Sequence, residues 1–134
     1  TTLALEYLSN NENGFFLMIE GAQIDWGGHD NDADYLISEL IDFDNTIGAV
    51  LDFAESNKET LVIVTADHET GGFTLGQDNG NYNKIKPVFS TTGHSATMVP
   101  VFASGPGAGL FGSIYENTAI YDKMKFLLFK NNKN

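Results

Sequence analysis

The sequence predicts an α/β fold in which helices cover a mostly parallel sheet. Residues 15–19 and 60–65 are apolar or β-branched runs, as expected of strands that are buried on both faces. Between them, residues 36–54 repeat apolar side chains at steps of three and four, which indicates one face of an amphipathic helix. A strand, a helix and a second strand in this order predict a right-handed crossover between parallel neighbours.

Shorter elements precede the first strand and the long helix. Residues 3–8 have the spacing of the end of a helix, and the polar residues 10–14 form a turn that leads into the first strand. Asp30, Asp32 and Asp34 stand before or at the start of the long helix. We expect them to form its capped, acidic beginning rather than a metal site.

The pattern becomes more polar after the second strand. Residues 71–75 are expected to form a short strand or hairpin arm, and residues 76–90 an exposed, glycine-rich loop or excursion. Residues 99–103 predict another buried strand, which is followed by a turn rich in glycine and proline. Asn117 is placed to cap a last helix over residues 118–129.

Composition narrows the classes of function. The chain has 134 residues, 42% of them hydrophobic, which suits one domain with a core. Its net charge of −11 disfavours nucleic-acid binding, because a phosphate backbone repels such a surface. No apolar run is long enough to predict a membrane span. There is no cysteine, and all seven basic residues are lysines, so the arginine fork that commonly binds phosphate cannot come from this chain.

All three histidines lie in short, glycine-punctuated segments that suit a metal ion. His29 follows Asp25 by four residues, so one helical turn would bring both side chains to one face. His68 follows Asp67 directly after the second predicted strand, and His94 lies in a Thr-Thr-Gly-His-Ser segment. Imidazole and carboxylate are the ligands that Zn²⁺ takes where thiolates are absent. Since ligands bind at the carboxyl ends of parallel strands, the sequence predicts a hydrolytic metal site there.

Four segments, in order and with similar spacing, resemble the C-terminal part of a bacterial alkaline phosphatase. They are Ile-Glu-Gly-x-x-Ile-Asp-x-x-x-His, Val-Thr-Ala-Asp-His-Glu-Thr-Gly-Gly, Gly-His-Ser and Val-Phe-Ala-Ser-Gly-Pro-Gly-Ala. The resemblance implies a three-layer α/β/α fold of the alkaline phosphatase type, incomplete because the N-terminal part is missing. Residues 1–134 would then be the C-terminal part of a single domain, an expectation that fits a chain beginning at Thr1 inside a helix.

The resemblance also implies two zinc ions and one magnesium ion as cofactors of the whole protein. It implies metal ligands in all three histidine segments: Asp25, His29 and His94 for the first zinc, Asp67 and His68 for the second, and Glu20 for the magnesium. Trp26 and Glu69 are expected to lie beside these ligands without binding a metal themselves.

The function implied by the resemblance is hydrolysis of small phosphate monoesters through a phosphoserine intermediate. In the family, the nucleophilic serine and the phosphate-binding arginine lie in the N-terminal part. Ser90 and Ser95 lack the sequence context of that nucleophile, so this chain is expected to contain no catalytic nucleophile and to be inactive alone. By analogy with the family, the whole protein is expected in the periplasm or outside the cell, with its signal in the missing N-terminus.

Two other interpretations remain open at the level of sequence. The whole protein would in one case be a different hydrolase of the same superfamily, such as a phosphodiesterase, a sulfatase or a phosphoglycerate mutase. In the other case the chain is a non-catalytic, zinc-binding fragment that self-associates, as a homodimer or larger, through an exposed sheet edge.

Overall fold

The computed structural model describes residues 1–129, in which three helices are followed by six short strands, a 3-10 helix and a last helix. The helices are α1 Thr2–Leu8, α2 Ala22–His29, α3 Ala33–Asn57, the 3-10 helix Ala108–Phe111 and α4 Ala119–Phe129. The strands are β1 Val62–Thr65, β2 Glu69–Thr70, β3 Thr74–Asp78, β4 Asn81–Val88, β5 His94–Ser95 and β6 Val101–Ser104.

These elements divide into two compact units. The first contains Thr1–Ala49 and His68–Met98, and the second contains Val50–Asp67 and the described residues from Val99 onward. The first unit therefore holds α1, α2, most of α3 and the strands β2 to β5. The second unit holds β1, β6, the 3-10 helix and α4. All three histidines lie in the first unit.

The long helix that the sequence predicts is confirmed as α3, and residues at both ends show why it begins and ends where it does. The Oδ1 atom of Asp32 accepts a hydrogen bond from the backbone N–H of Tyr35 at 3.0 Å, so this aspartate caps the helix as expected. At the other end Lys58 has a φ of 61°, and its N–H donates to the carbonyl of Ala54 at 2.7 Å. A residue in the left-handed region after the last turn is a common way for a helix to end.

The described strands do not form the mostly parallel sheet that the sequence predicts. They form three separate two-stranded ladders, β1 with β6, β2 with β5 and β3 with β4, and each ladder is antiparallel. The apolar runs did not determine the direction of pairing, because such a run indicates that side chains will be buried, whereas the direction depends on which other strand supplies the backbone partner.

The first predicted strand, residues 15–19, belongs to none of these ladders. Within it Phe16 and Met18 are 59% and 79% exposed, while the residues between and beside them are half-buried. The exposure of the side chains thus alternates from one residue of the segment to the next. The predicted crossover from this segment through α3 to β1 stays a prediction.

The segment expected to be an exposed loop, residues 76–90, is mostly an antiparallel hairpin. Strands β3 and β4 are joined at Asn79 and Gly80, which have φ angles of 49° and 82°. Two consecutive positive φ angles define the tight turn that Asn-Gly favours between paired strands. Every residue of β4 is exposed, and the segment forms a hairpin rather than a loop.

The second unit is built on β1, β6 and the last helix. Val62 in β1 and Phe111 in the 3-10 helix are its buried hydrophobic residues among those described. Gly107 has a φ of 82°, and a Cβ there would lie 2.7 Å from the side chain of Leu127 in α4. The predicted last helix is confirmed as α4. None of the helices in residues 1–129 is sufficiently long and apolar to span a membrane.

Candidate metal centre

Helix α2 brings Asp25 and His29 to one face, as their spacing predicts. The Nε2 atom of His29 lies 3.4 Å from Oδ2 of Asp25, one helical turn earlier. Both side chains are only partly buried. The helix therefore presents one carboxylate and one imidazole together, which is the donor pair expected of the first metal segment.

His94 completes a cluster with these two residues from a distant part of the chain. Its Nε2 lies 3.1 Å from Nε2 of His29 and 3.5 Å from Oδ1 of Asp25. One ligand atom from each of the three side chains lies within 4.8 Å of the others. The structure thus brings together the three residues that the resemblance assigns to one zinc ion.

The short ladder of β2 with β5 brings His94 to α2. Its register sets Thr70 opposite His94, and the N–H of Gly71 donates to the carbonyl of Gly93 at 3.0 Å. Gly71 has a φ of 86°, and a Cβ on it would lie 2.8 Å from the carbonyl oxygen of Gly28 in α2. Only glycine combines this backbone conformation with such a close approach, so Gly71 permits β2 to pack directly on the helix.

A backbone carbonyl determines the tautomer of His29. The Nδ1 atom of this ring lies 2.6 Å from the carbonyl oxygen of Thr92. A carbonyl oxygen can only accept a hydrogen bond, so Nδ1 carries the hydrogen atom. In the neutral ring Nε2 is then left with a free lone pair, directed to the side of the ring where Asp25 and His94 lie.

His68 lies against this cluster. Its ring stacks on that of His94, with centroids 3.6 Å apart and planes at 21°. Its Nδ1 lies 3.2 Å from Oγ1 of Thr70, and the same hydroxyl makes a very short hydrogen bond to Oδ1 of Asp25. Because an ionised carboxylate only accepts, the hydroxyl of Thr70 donates to Asp25 and is left to accept from Nδ1–H of His68. This direction places the hydrogen atom of the neutral His68 ring on Nδ1.

Glu69 binds the chain on both sides of this region. Its Oε2 accepts a hydrogen bond from the hydroxyl of Ser95, and its Oε1 accepts from the N–H of Phe73 at 3.0 Å. The bond from Ser95 is the main reason that the pKa of Glu69 is lowered; partial burial opposes it, and the N–H groups of Phe73 and Gly72 add to it. The carboxylate is thus held in its ionised form outside the three-residue cluster.

The other residues predicted for the site lie outside the cluster of three. Glu20 and Trp26 are exposed, the first before α2 and the second within it. Asp67 is exposed at the end of a segment of the second unit, next in sequence to His68. The structure therefore assembles the three proposed ligands of the first zinc ion and sets His68 beside them.

Thr70 and Thr92 are the two site residues that the sequence did not identify. A signal existed for Thr70, because alternate residues of an extended chain share a face and Thr70 follows His68 by two positions. No signal existed for Thr92, since it contributes a backbone carbonyl, which every residue has.

Comparison with known proteins identifies the family. The family model for alkaline phosphatase matches residues 1–90. The chain belongs to the alkaline phosphatase family. It is 52% identical over 83 residues to alkaline phosphatase 3 of Bacillus subtilis strain 168, an alignment that covers 62% of this chain and 18% of that protein. It is 33% identical over 123 residues to the tissue-nonspecific isozyme of Homo sapiens, with 90% and 23% covered.

Solved structures agree with this assignment. The alkaline phosphatase from the Antarctic bacterium TAB5 matches with a TM-score of 0.90 and 54% identity, over 96% of this chain and 39% of that one. A variant of the TAB5 enzyme with magnesium bound in its M3 site matches with a TM-score of 0.88 and 53% identity, over the same shares of the two chains. The chain therefore has a mixed α/β fold of the alkaline phosphatase type and spans less than half the length of these relatives.

Proposed function

We propose that this chain forms the zinc-binding part of a phosphate monoester hydrolase. The observation that carries the proposal is the cluster of Asp25, His29 and His94, which α2 and β5 bring together within a chain of the alkaline phosphatase family. Small phosphate monoesters are the proposed substrates, and a phosphoserine is the proposed intermediate, formed on a residue that this chain does not supply.

The distances among the donor atoms of the cluster support zinc as the bound ion. Zinc binds imidazole nitrogen and carboxylate oxygen at about 2.0–2.1 Å, so neighbouring donors of a tetrahedral site are separated by about 3.3–3.4 Å. The Nε2 atoms of His29 and His94 are 3.1 Å apart, Oδ2 of Asp25 lies 3.4 Å from Nε2 of His29, and Oδ1 of Asp25 lies 3.5 Å from Nε2 of His94. Each nitrogen thus has one carboxylate oxygen at a separation close to that of a zinc site, and one donor atom of each residue lies within 4.8 Å of the others.

The exposure of the cluster supports a catalytic role for the metal. The side chains of His94, His29 and Asp25 are 49%, 40% and 35% exposed. Structural zinc sites are closed by four protein ligands, whereas catalytic sites keep three and leave one position open. When bound, zinc would supply Lewis-acid stabilisation of the negative charge that develops on phosphoryl oxygens.

We further propose that the complete enzyme holds two zinc ions and one magnesium ion. His68 and Asp67 are the ligands that this chain would contribute to the second zinc, and Glu20 the ligand that it would contribute to magnesium. The stacking of His68 on His94 supports a second site close to the first, because the two rings are only 3.6 Å apart. The magnesium bound in a variant of the TAB5 enzyme supports a role for that ion in the family.

The chain's own residues orient the ligands but provide no nucleophile. The hydroxyl of Ser95 is engaged by Glu69, and the sequence contains no arginine to bind phosphate. We therefore expect the isolated chain to leave p-nitrophenyl phosphate unhydrolysed, and rapid hydrolysis by it would refute this part of the proposal. For the complete protein we propose the three-layer fold with a mostly parallel sheet, and a periplasmic or extracellular location by analogy with the family.

Self-association is a second candidate property of the chain itself. β1 pairs with β6 alone in the described structure, so the other backbone edge of β1 has no strand beside it in residues 1–129. Edges of this kind pair readily with another chain. Gel filtration over a hundredfold range of concentration should then show a dimer or larger species, and a monomer at every concentration would exclude it.

Zinc binding is the direct test of the proposed function. Calorimetric titration of zinc into the metal-free chain should show a saturable site that is lost in both His29→Ala and His94→Ala. Asp34→Ala is the matched control, because Asp34 is an exposed acidic residue at the start of α3 and lies outside the cluster. Zinc binding that persists unchanged in His94→Ala would refute the assignment of the three ligands.

A further inference from the structure

Glu69 connects two segments around the metal cluster without belonging to it. One carboxylate oxygen accepts a hydrogen bond from the hydroxyl of Ser95, and the other accepts from the N–H of Phe73 at 3.0 Å. Both oxygens are thus occupied by neighbouring chain, and Glu69 is not among the side chains whose donor atoms converge. Its position suggests a role in holding the chain rather than the metal.

The residue that Glu69 binds is the immediate neighbour of His94. β5 consists of His94 and Ser95 alone, and the ladder sets Ser95 opposite Glu69 and His94 opposite Thr70. A two-residue ladder has few backbone hydrogen bonds to resist displacement. A hydrogen bond to an ionised carboxylate is about twice as strong as one between neutral groups, so the bond from Ser95 adds substantially to this short contact.

His94 is also the ligand whose position depends most on such support. Asp25 and His29 are fixed relative to one another by one turn of α2, whereas His94 comes from another segment and is the most exposed of the three, at 49%. A binding site loses affinity when a ligand is displaced by more than about 0.5 Å. The affinity of the cluster for a metal must therefore depend on whatever holds β5 against β2.

We propose that Glu69 is a positioning residue for His94, and that it acts through Ser95 to set the zinc affinity of the cluster. This inference rests on the proposed zinc site. Glu69 contributes no donor atom to the metal. It holds the segment that carries His94 and, through the N–H of Phe73, the turn that follows β2.

Zinc titration of four variants tests the consequence for affinity. Glu69→Ala and Ser95→Ala should each weaken zinc binding by about 10- to 100-fold, the range found when groups that support metal ligands are removed. The double variant should be little weaker than either single variant, because both changes remove the same bond. Ser90→Ala is the matched control, since Ser90 lies in the same loop and its hydroxyl is 3.5 Å from the carbonyl oxygen of Gly72.

Glu69→Gln separates positioning from a general loss of structure. Glutamine keeps the oxygen that accepts from Phe73 and has an amide that can donate to the hydroxyl of Ser95. We expect it to restore most of the affinity that Glu69→Ala loses. A glutamine variant as weak as the alanine variant, with both chains folded by circular dichroism, would contradict positioning by hydrogen bonds.

A measurement on the metal-free chain separates this proposal from the proposed function. The rings of His68 and His94 are stacked, so displacement of His94 changes the ring-current shifts of both sets of imidazole protons. Nuclear magnetic resonance spectra of Glu69→Ala should show these changes without zinc, and Ser90→Ala should not. Unchanged chemical shifts in Glu69→Ala would overturn the proposal even if the chain binds no zinc. If the chain does bind zinc, an unchanged zinc affinity in Glu69→Ala would also overturn it.

Discussion

The hydroxyl of Thr70 joins two predicted metal ligands that belong to different ions. It donates to Asp25 and accepts from Nδ1–H of His68, so one group orients a carboxylate and a ring together. Neither contact uses the atom with which His68 would bind a metal. Removing the hydroxyl would therefore leave both ligands present but without the group that orients them together.

The substitution Thr70→Val tests this role, because valine keeps the shape of threonine and removes only the hydrogen bonds. We expect zinc affinity to fall by about 10-fold or more, since groups that orient metal ligands are typically worth 10–100-fold. Calorimetry on the metal-free chain measures it. Thr70→Ser retains the hydroxyl and should bind zinc almost as tightly as the unmodified chain; equal affinity in the valine and serine variants would show that the hydroxyl is dispensable.

The carboxylate of Glu69 predicts a pH dependence of stability in the metal-free chain. Its pKa in the folded chain lies below its ordinary value of 4.5, chiefly because Ser95 donates a hydrogen bond to it. A lowered pKa stabilises the fold above the ordinary value, and this contribution is lost as the pH falls through the lower, folded value. The melting temperature of the unmodified chain should therefore differ from that of Glu69→Gln above pH 4.5 and approach it as the pH falls below that value. A constant difference between the two would contradict the prediction.

At the scale of elements, the cluster is built from α2 and β5, and only the contribution of α2 could be predicted from local sequence. Asp25 and His29 are separated by a single helical turn, so their meeting follows from local sequence alone. His94 reaches them only through the β2–β5 ladder and the close approach of Gly71 to α2, which are long-range contacts. Without the family resemblance, local sequence would have predicted that two of the three residues of the cluster meet.

Two glycine substitutions should change stability in opposite directions. Gly71→Ala introduces a Cβ in the left-handed region, 2.8 Å from the carbonyl oxygen of Gly28, so we expect a loss of about 1–3 kcal/mol. Gly48→Ala lies in α3 with nothing within 4 Å of the added atom, and should stabilise the chain by about 0.5–1 kcal/mol. Urea unfolding measures the change in the free energy of unfolding of each variant. Stabilisation by both would show that the approach of β2 to α2 does not require glycine.

The helices could be predicted because their pattern is local, whereas the strand pairs could not because they depend on distant residues. The period of apolar residues within α3 and α4 is a local property, and both helices lie close to the predicted ranges. Strand pairing depends on a partner elsewhere in the chain, and the sequence predicted parallel neighbours where β1 has the antiparallel β6. The Asn79-Gly80 turn was a local signal for the β3–β4 hairpin that the prediction of a loop overlooked.

At the scale of the whole molecule, the described chain buries few large apolar side chains. Leu5, Leu36, Val62 and Phe111 are buried, whereas Phe16, Met18, Phe102 and others like them are more than half exposed. Hydrophobic burial is the main source of stability, so we expect a chain with this exposure to have a small free energy of unfolding. A ligand that binds only the folded form would then contribute a large share of its stability.

Zinc should therefore raise the melting temperature of the chain. A free zinc concentration 100 times the dissociation constant stabilises the folded form by about 2.7 kcal/mol. We expect the melting temperature to rise with zinc, to fall again with a chelator, and to stay unchanged in His94→Ala. Differential scanning calorimetry measures all three. An equal rise in His94→Ala would mean that zinc acts elsewhere on this acidic chain.

The carbonyl that binds Nδ1 of His29 belongs to the backbone of Thr92, at a position where the side chain is exposed. Sequence change at this position is therefore decoupled from the metal chemistry, because almost any residue supplies the same oxygen. Relatives can diverge freely here while His29 keeps its tautomer, provided that the loop keeps its path. An insertion or deletion in the loop would move this carbonyl, which no single substitution at position 92 does, and would turn the ring of His29 away from Asp25 and His94.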